Sequence, residues 1–216
     1  MKPRAEAMLG DLFMRRPELR GCEARIREAF ETLRACFAGG GKLLVCGNGG
    51  SAADAEHIVG ELMKGFLLKR PLPANRAEAL RRVAPEEGER LAAALQSALP
   101  AISLAGHPAL STAFANDVAP DMVFAQQVLG YGRPGDVLWA ISCSGMSHNV
   151  INAALTARAS GMTVLGMTGR GGGRLAAVAG QCISVPETDT FLVQELHQPV
   201  YHALCAMLEE EFFGGS

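Results

Sequence analysis

Five short apolar runs, each separated from the next by enough chain for a helix or more, constrain this sequence more than any other feature. They are Lys42–Cys46 (KLLVC), Ala101–Ala105 (AISLA), Asp136–Ser142 (DVLWAIS), Thr163–Thr168 (TVLGMT) and Cys182–Val185 (CISV). The runs are continuous rather than alternating, as in strands buried on both faces of a parallel sheet. Helical stretches fill the gaps at 52–68, 108–116, 121–130, 147–160 and 174–179, and a last one runs from about Thr190 to Phe213. The pattern predicts an α/β fold, a doubly wound five-stranded parallel sheet. Right-handed crossovers then put helices on both faces and ligands at the carboxyl ends of the strands.

Residues 1–38 read as a helical segment, because Ile26, Phe30, Leu33 and Phe37 recur once per helical turn before Gly39-Gly40-Gly41 stops the helix. The sheet domain spans 39–216, with an inserted loop and helix at about 69–98 that is rich in Arg, Glu and Pro (Pro71, Pro73, Pro85) and lies over the body. Helices at both ends are available for subunit packing. The chain has 20 Lys and Arg against 22 Asp and Glu, a balance that gives no footprint for nucleic acid or an anionic membrane. Six cysteines without a CxxC pair indicate reduced thiols in a cytoplasmic protein. Asp11, Arg15 and Arg16 break the N-terminal apolar stretch and argue against a signal peptide. No apolar run approaches the roughly 18–20 residues of a membrane helix.

Four features carry chemistry. Cys46-Gly47-Asn48-Gly49-Gly50-Ser51 ends the first strand, where glycines let a ligand approach the backbone and the next helix presents free amides. Gly47, Gly49 and Ala52 match a dinucleotide fingerprint formally. The acidic residue that would end the second strand is absent, so no nucleotide is expected. Ser142-Cys143-Ser144-Gly145-Met146-Ser147 forms a second strand-to-helix turn, whose hydroxyls and amides can surround a phosphate without a metal. Cys143 lacks a base fixed by sequence and reads as a packed thiol. His57 and Glu61 share one helix face at a spacing that suits a zinc site or a base with its partner. The last helix carries Gln194, Glu195, His197 and His202.

These segments resemble, in order and place, the motifs of the phosphoheptose isomerases, a branch of the sugar-isomerase (SIS) domain family. The matching pieces are CGNGGSAADAEH, Asn116-Asp117, SCSGMS and QELHQPVYH, and the likeness covers roughly residues 25–213 apart from the inserted segment. The resemblance implies a flavodoxin-like sheet and a homo-oligomer, usually a tetramer, with sites between subunits. It implies isomerisation of a sugar phosphate, most simply sedoheptulose 7-phosphate to D-glycero-D-manno-heptose 7-phosphate, through a cis-enediol. Asn48, Gly49, Gly50 and Ser51 would line the substrate site. Asn116, Asp117 and Gln194 would contact the sugar, and Ser142, Cys143, Ser144 and Ser147 would hold the phosphate. Glu61 and His202 would be the acid–base pair. His57, Glu61, Gln194 and His202 would be ligands of zinc. Two departures stand in the serine loop, Cys143 for the usual Thr and Met146 for Asn, and Val-Ala follows Asn116-Asp117 in place of Phe-Gly. Other members of the wider family bind phosphosugars or a replication-initiator partner without catalysis, which is the alternative reading.

Gln194 and His202 are eight residues apart, about 12 Å along one straight helix. A zinc ion with bonds of about 2.0–2.2 Å cannot easily take both from one such helix. Three ways out exist: Gln194 precedes the helix, Pro199 breaks it, or the two come from different subunits.

Overall fold

The computed structural model describes residues 1–215. Its sheet has five parallel strands: β1 (Leu43–Cys46), β2 (Ala101–Ser103), β3 (Val137–Ile141), β4 (Thr163–Thr168) and β5 (Gly180–Ser184). Their order across the sheet is β2-β1-β3-β4-β5, the flavodoxin-like arrangement. Alternate residues of each strand feed two cores. Leu43, Val45, Trp139, Ile141, Leu165, Met167 and Ile183 face α1 (Pro3–Arg15), α2 (Glu23–Ala38), α3 (Gly50–Met63) and α10 (Thr190–Phe213). Leu44, Cys46, Leu138, Ala140 and Val164 face α7 (Val123–Tyr131), α8 (His148–Ala159) and α9 (Gly173–Ala179). Both faces are therefore covered, as continuous apolar strands require.

Three helix expectations need correction. The N-terminal 38 residues are not one helix: α1 ends at Arg15, and a 3₁₀ stretch, Pro17–Cys22, precedes α2. Pro17 forces Arg16 out of the helical region, to φ −135° and ψ 69°. The helix after the glycine loop stops at Met63 rather than Leu68, because Lys64 turns extended. The Arg70 guanidinium takes up carbonyls left open there, donating to Leu62 at 2.7 Å and to Glu61 at 3.0 Å. The inserted segment holds two antiparallel helices, α4 (Ala74–Val83) and α5 (Pro85–Ala94), split by Pro85. They pack almost wholly on each other, not over the body. The remaining helix in the series, α6 (Pro108–Asp117), follows β2.

β1 and β3 are neighbours, and their chains leave the sheet toward α3 and α8 at the point where the strand order reverses. That crevice is where such sheets bind ligands.

Candidate active site

The loop after β1 turns into α3 through Gly49, whose φ of +56° with ψ −121° is a combination open to glycine alone. At Gly50 a side chain is excluded for another reason: its Cβ would lie 2.5 Å from Gln194 Nε2. α10 therefore packs directly on the first turn of α3. The serine loop after β3 leads into α8, and the helix cap at Ser147 makes no side-chain bond to the first-turn amides.

A cavity of about 190 Å³ opens between these elements, lined by Asn48, Ser51, Ser142, Cys143, Ser144, Ser147, Thr190 and Gln194 among others. The N-terminal ends of α3, α8 and α10 all border it, so three positive dipole ends surround a space with no lysine or arginine in its wall. Ser142 and Ser147 share a hydrogen bond of 3.0 Å. Ser144 Oγ accepts from the Met146 amide at 3.2 Å. Cys143 Sγ stands 3.8 Å from Ser51 Oγ. Asn48 exchanges two amide hydrogen bonds with Asn149, at 2.9 and 2.8 Å. Asn149 was not singled out in the sequence, where it looks like an ordinary first-turn residue.

Six residues along α3 from Ser51, about 9 Å of rise, the chemistry changes. His57 Nε2 is 3.1 Å from Glu61 Oε1 and 3.4 Å from His202 Nε2. Glu61 Oε2 is buried without a hydrogen-bond partner, 3.6 Å from Lys64 Nζ. Burial, and then the neighbouring His57, hold the His202 imidazole below its usual pKa, which favours the neutral ring. On the far side of His57, the Tyr201 hydroxyl lies 3.1 Å from Nδ1 and 3.2 Å from Asp54 Oδ1. Burial pushes the Asp54 carboxyl up, against a hydrogen bond from Tyr201. Asp54 and Tyr201 lie within the CGNGGSAADAEH and QELHQPVYH segments, but their pairing is not legible there, because the contact joins positions 147 residues apart.

Gln194 borders both the serine cavity and a second one containing Asp54, His57 and Tyr201. α10 is unbroken from Thr190, with Pro199 inside it, so Gln194 neither precedes the helix nor is cut off from His202 by a break. His202 borders a third cavity with Asp11, Arg15 and Phe66. Asn116 and Asp117 end α6, bonded to each other at 2.9 Å, and line none of these three cavities.

Among the described residues no three His, Cys, Asp or Glu side chains sit in full metal-ligand geometry. The donor chemistry nonetheless fits a metal. Two ligand atoms on a tetrahedral zinc are about 3.3 Å apart, near the 3.4 and 3.1 Å separations around His57 Nε2. Two imidazole nitrogens and a carboxylate, with its second oxygen left without a partner, are donor types that zinc takes.

Residues 19–96 and 79–169 match the SIS domain family model. A phosphoheptose isomerase of Rhodospirillum rubrum is 40% identical over 200 residues, 93% of this chain and 91% of that protein. The chain belongs to the phosphoheptose isomerase family of SIS-domain proteins. A phosphoheptose isomerase of Desulfovibrio desulfuricans is 41% identical over 188 residues, 87% of this chain and 77% of that protein. Among solved structures, a phosphoheptose isomerase from Neisseria gonorrhoeae superposes with a TM-score of 0.70 at 33% identity, covering 95% of this chain and 97% of that one. The members of this family are aldose–ketose isomerases.

Proposed function

We propose that the chain interconverts sedoheptulose 7-phosphate and D-glycero-D-manno-heptose 7-phosphate. The observation that carries the reading is the pairing of a hydroxyl-and-amide cradle with a carboxylate–imidazole cluster further along the same two helices. About 9 Å of helix rise separates Ser51 from His57, a length a linear sugar phosphate spans. The phosphate end supplies binding energy remote from the reacting carbons. Ser142, Ser144, Ser147 and the α8 amides hold it, with Asn48, Gly49, Gly50 and Ser51 closing the other wall and Cys143 filling space beside Ser51.

At the other end Glu61 takes the proton from C1 of the ketose and returns it to C2, and His202 serves the two oxygens as the proton passes between them. A neutral imidazole beside a carboxylate base is a known pairing for polarising a carbonyl. In this reading zinc is held by His57, Glu61 and His202 and, when bound, polarises the substrate oxygens as a Lewis acid. Gln194 on an unbroken helix serves the sugar of its own chain, and a metal contact from Gln194 comes from a neighbouring subunit. The assembly is a homo-oligomer, a tetramer by family likeness. Val118, Met122, Leu129 and Leu155 support this, since all are exposed on the α6–α7–α8 side of one chain. Asn116 and Asp117 stand on that same side and reach sugar hydroxyls across a subunit boundary. No described helix is long and apolar enough to cross a membrane.

Turnover of five-, six- and seven-carbon ketose phosphates tests the reading. The highest kcat/KM is expected on the seven-carbon substrate, and absence of turnover on all of them would overturn the proposal.

A further inference from the structure

His57 is the one member of the cluster whose ring is gripped from behind. Its Nδ1 faces the Tyr201 hydroxyl at 3.1 Å, and that hydroxyl also reaches Asp54 Oδ1 at 3.2 Å. Tyr201 is 1% exposed, and Asp54 Oδ2 is buried with no partner of its own. A phenol has a single proton to give. If it gives it to His57, Asp54 is left as a half-buried carboxylate with Oδ2 enclosed and no protein donor to either oxygen, a costly arrangement. If it gives it to Asp54, the phenol oxygen is free to accept from Nδ1–H, and Asp54 Oδ1, the phenol and Nδ1 are all partnered. Nε2 and Glu61 Oε1 are then two acceptors 3.1 Å apart, an opposition that a cation between them relieves.

We propose that Asp54 and Tyr201 form a relay that holds His57 as the Nδ1–H tautomer and leaves the Nε2 lone pair facing His202 and Glu61. Tyr201 and Asp54 are thus positioning residues, acting through His57. The relay rests on the reading of His57, Glu61 and His202 as the reactive cluster, because only there does the direction of the Nε2 lone pair matter. A carboxylate or hydroxyl behind a histidine fixes which ring nitrogen is free, and losing it typically weakens metal affinity 10–100-fold. The usual partner would be the carboxylate itself. Here Asp54 is interposed by a tyrosine borne on the neighbouring helix, so α10 supplies both His202 and the group that aims its counterpart on α3.

The test is the nitrogen NMR spectrum of His57 in the metal-free protein at pH 9, where an ordinary imidazole is neutral. The parent is expected to show its proton on Nδ1. Tyr201→Phe removes the acceptor behind the ring, so the proton should pass to Nε2, where Glu61 Oε1 accepts it. Asp54→Ala leaves the phenol no acceptor but Nδ1, so it should turn round and likewise drive the proton to Nε2. Zinc affinity, measured by titration of the metal-free proteins, should fall 10–100-fold in both variants. A parent protein with its proton on Nε2, or a Tyr201→Phe protein that is folded and keeps Nδ1–H with unchanged zinc affinity, overturns the relay. If the tautomer behaves as stated while the parent binds no zinc, the relay stands and the metal reading falls.

Discussion

Glu61 presents two oxygens in different surroundings, Oε1 toward His57 and Oε2 without a hydrogen-bond partner, and its assignment as base rests on that side chain alone. Glu61→Gln keeps shape and packing while removing the base, so kcat should fall at least ~100-fold with circular dichroism and melting unchanged. In the serine loop, Ser144→Ala with Ser147→Ala should raise KM. Each lost hydrogen bond to a charged group is worth about 1.5–3 kcal/mol, roughly ten- to a hundredfold in affinity. Equal phosphate-ester affinity in parent and double variant would place the phosphate elsewhere. At this scale the sequence was legible where chemistry follows local order. His57 and Glu61 share a helix face, and the glycine and serine loops each follow a strand. It was silent where chemistry is made across elements, as with Asn149 bonded to Asn48 or Tyr201 to His57.

Elements were read with similar success and similar limits. The five apolar runs became the five strands because burial on both faces leaves an unmistakable pattern, whereas helix ends turned on details the pattern does not encode. Pro17 and Pro85 each split a stretch that periodicity alone would join. The end of α3 depends on Arg70, which is 1% exposed and paired with the buried Glu209 at 2.7 Å; Glu209 also accepts from the amides of Phe66, Leu67 and Leu68. Arg70→Met would leave that carboxylate buried and without its cation, so the denaturant midpoint should drop by the equivalent of about 3–5 kcal/mol. A second consequence concerns α10. His197 is fully buried, with no hydrogen bond to either ring nitrogen. Burial pushes its pKa from 6.5 down to about 4, and the main chain at Thr168 opposes this weakly without reaching hydrogen-bond geometry. The unfolded chain therefore binds a proton between pH 6.5 and 4 that the folded chain refuses. Stability should decline as pH falls through that window, by at most about 3 kcal/mol, and then level off. Denaturant unfolding at pH 7 and 4.5 should show the decline in the parent and a smaller one in His197→Leu.

For the whole molecule, the sheet order places the two functional loops at one crevice, and the helices flanking it, α3 and α10, carry the reacting groups. The α4–α5 hairpin stands apart from this arrangement. Replacing 74–94 with a short glycine-serine loop should change unfolding free energy by no more than about 1 kcal/mol, as measured by denaturant titration, because those helices pack almost wholly on each other. The assembled state was less legible than the fold, since one chain's sequence shows exposed apolar residues without saying what covers them. Sedimentation equilibrium should report a multiple of the 22.7 kDa chain mass. The most direct test of the central claim is the reaction of sedoheptulose 7-phosphate in D₂O, followed by proton NMR, with the parent and Glu61→Gln proteins side by side. The expected result is an aldose 7-phosphate formed by the parent, with hydrogen or deuterium at C2 according to how far the proton held by Glu61 exchanges with solvent, and almost none formed by the variant. Equal product from both proteins, or none from the parent, would contradict the account.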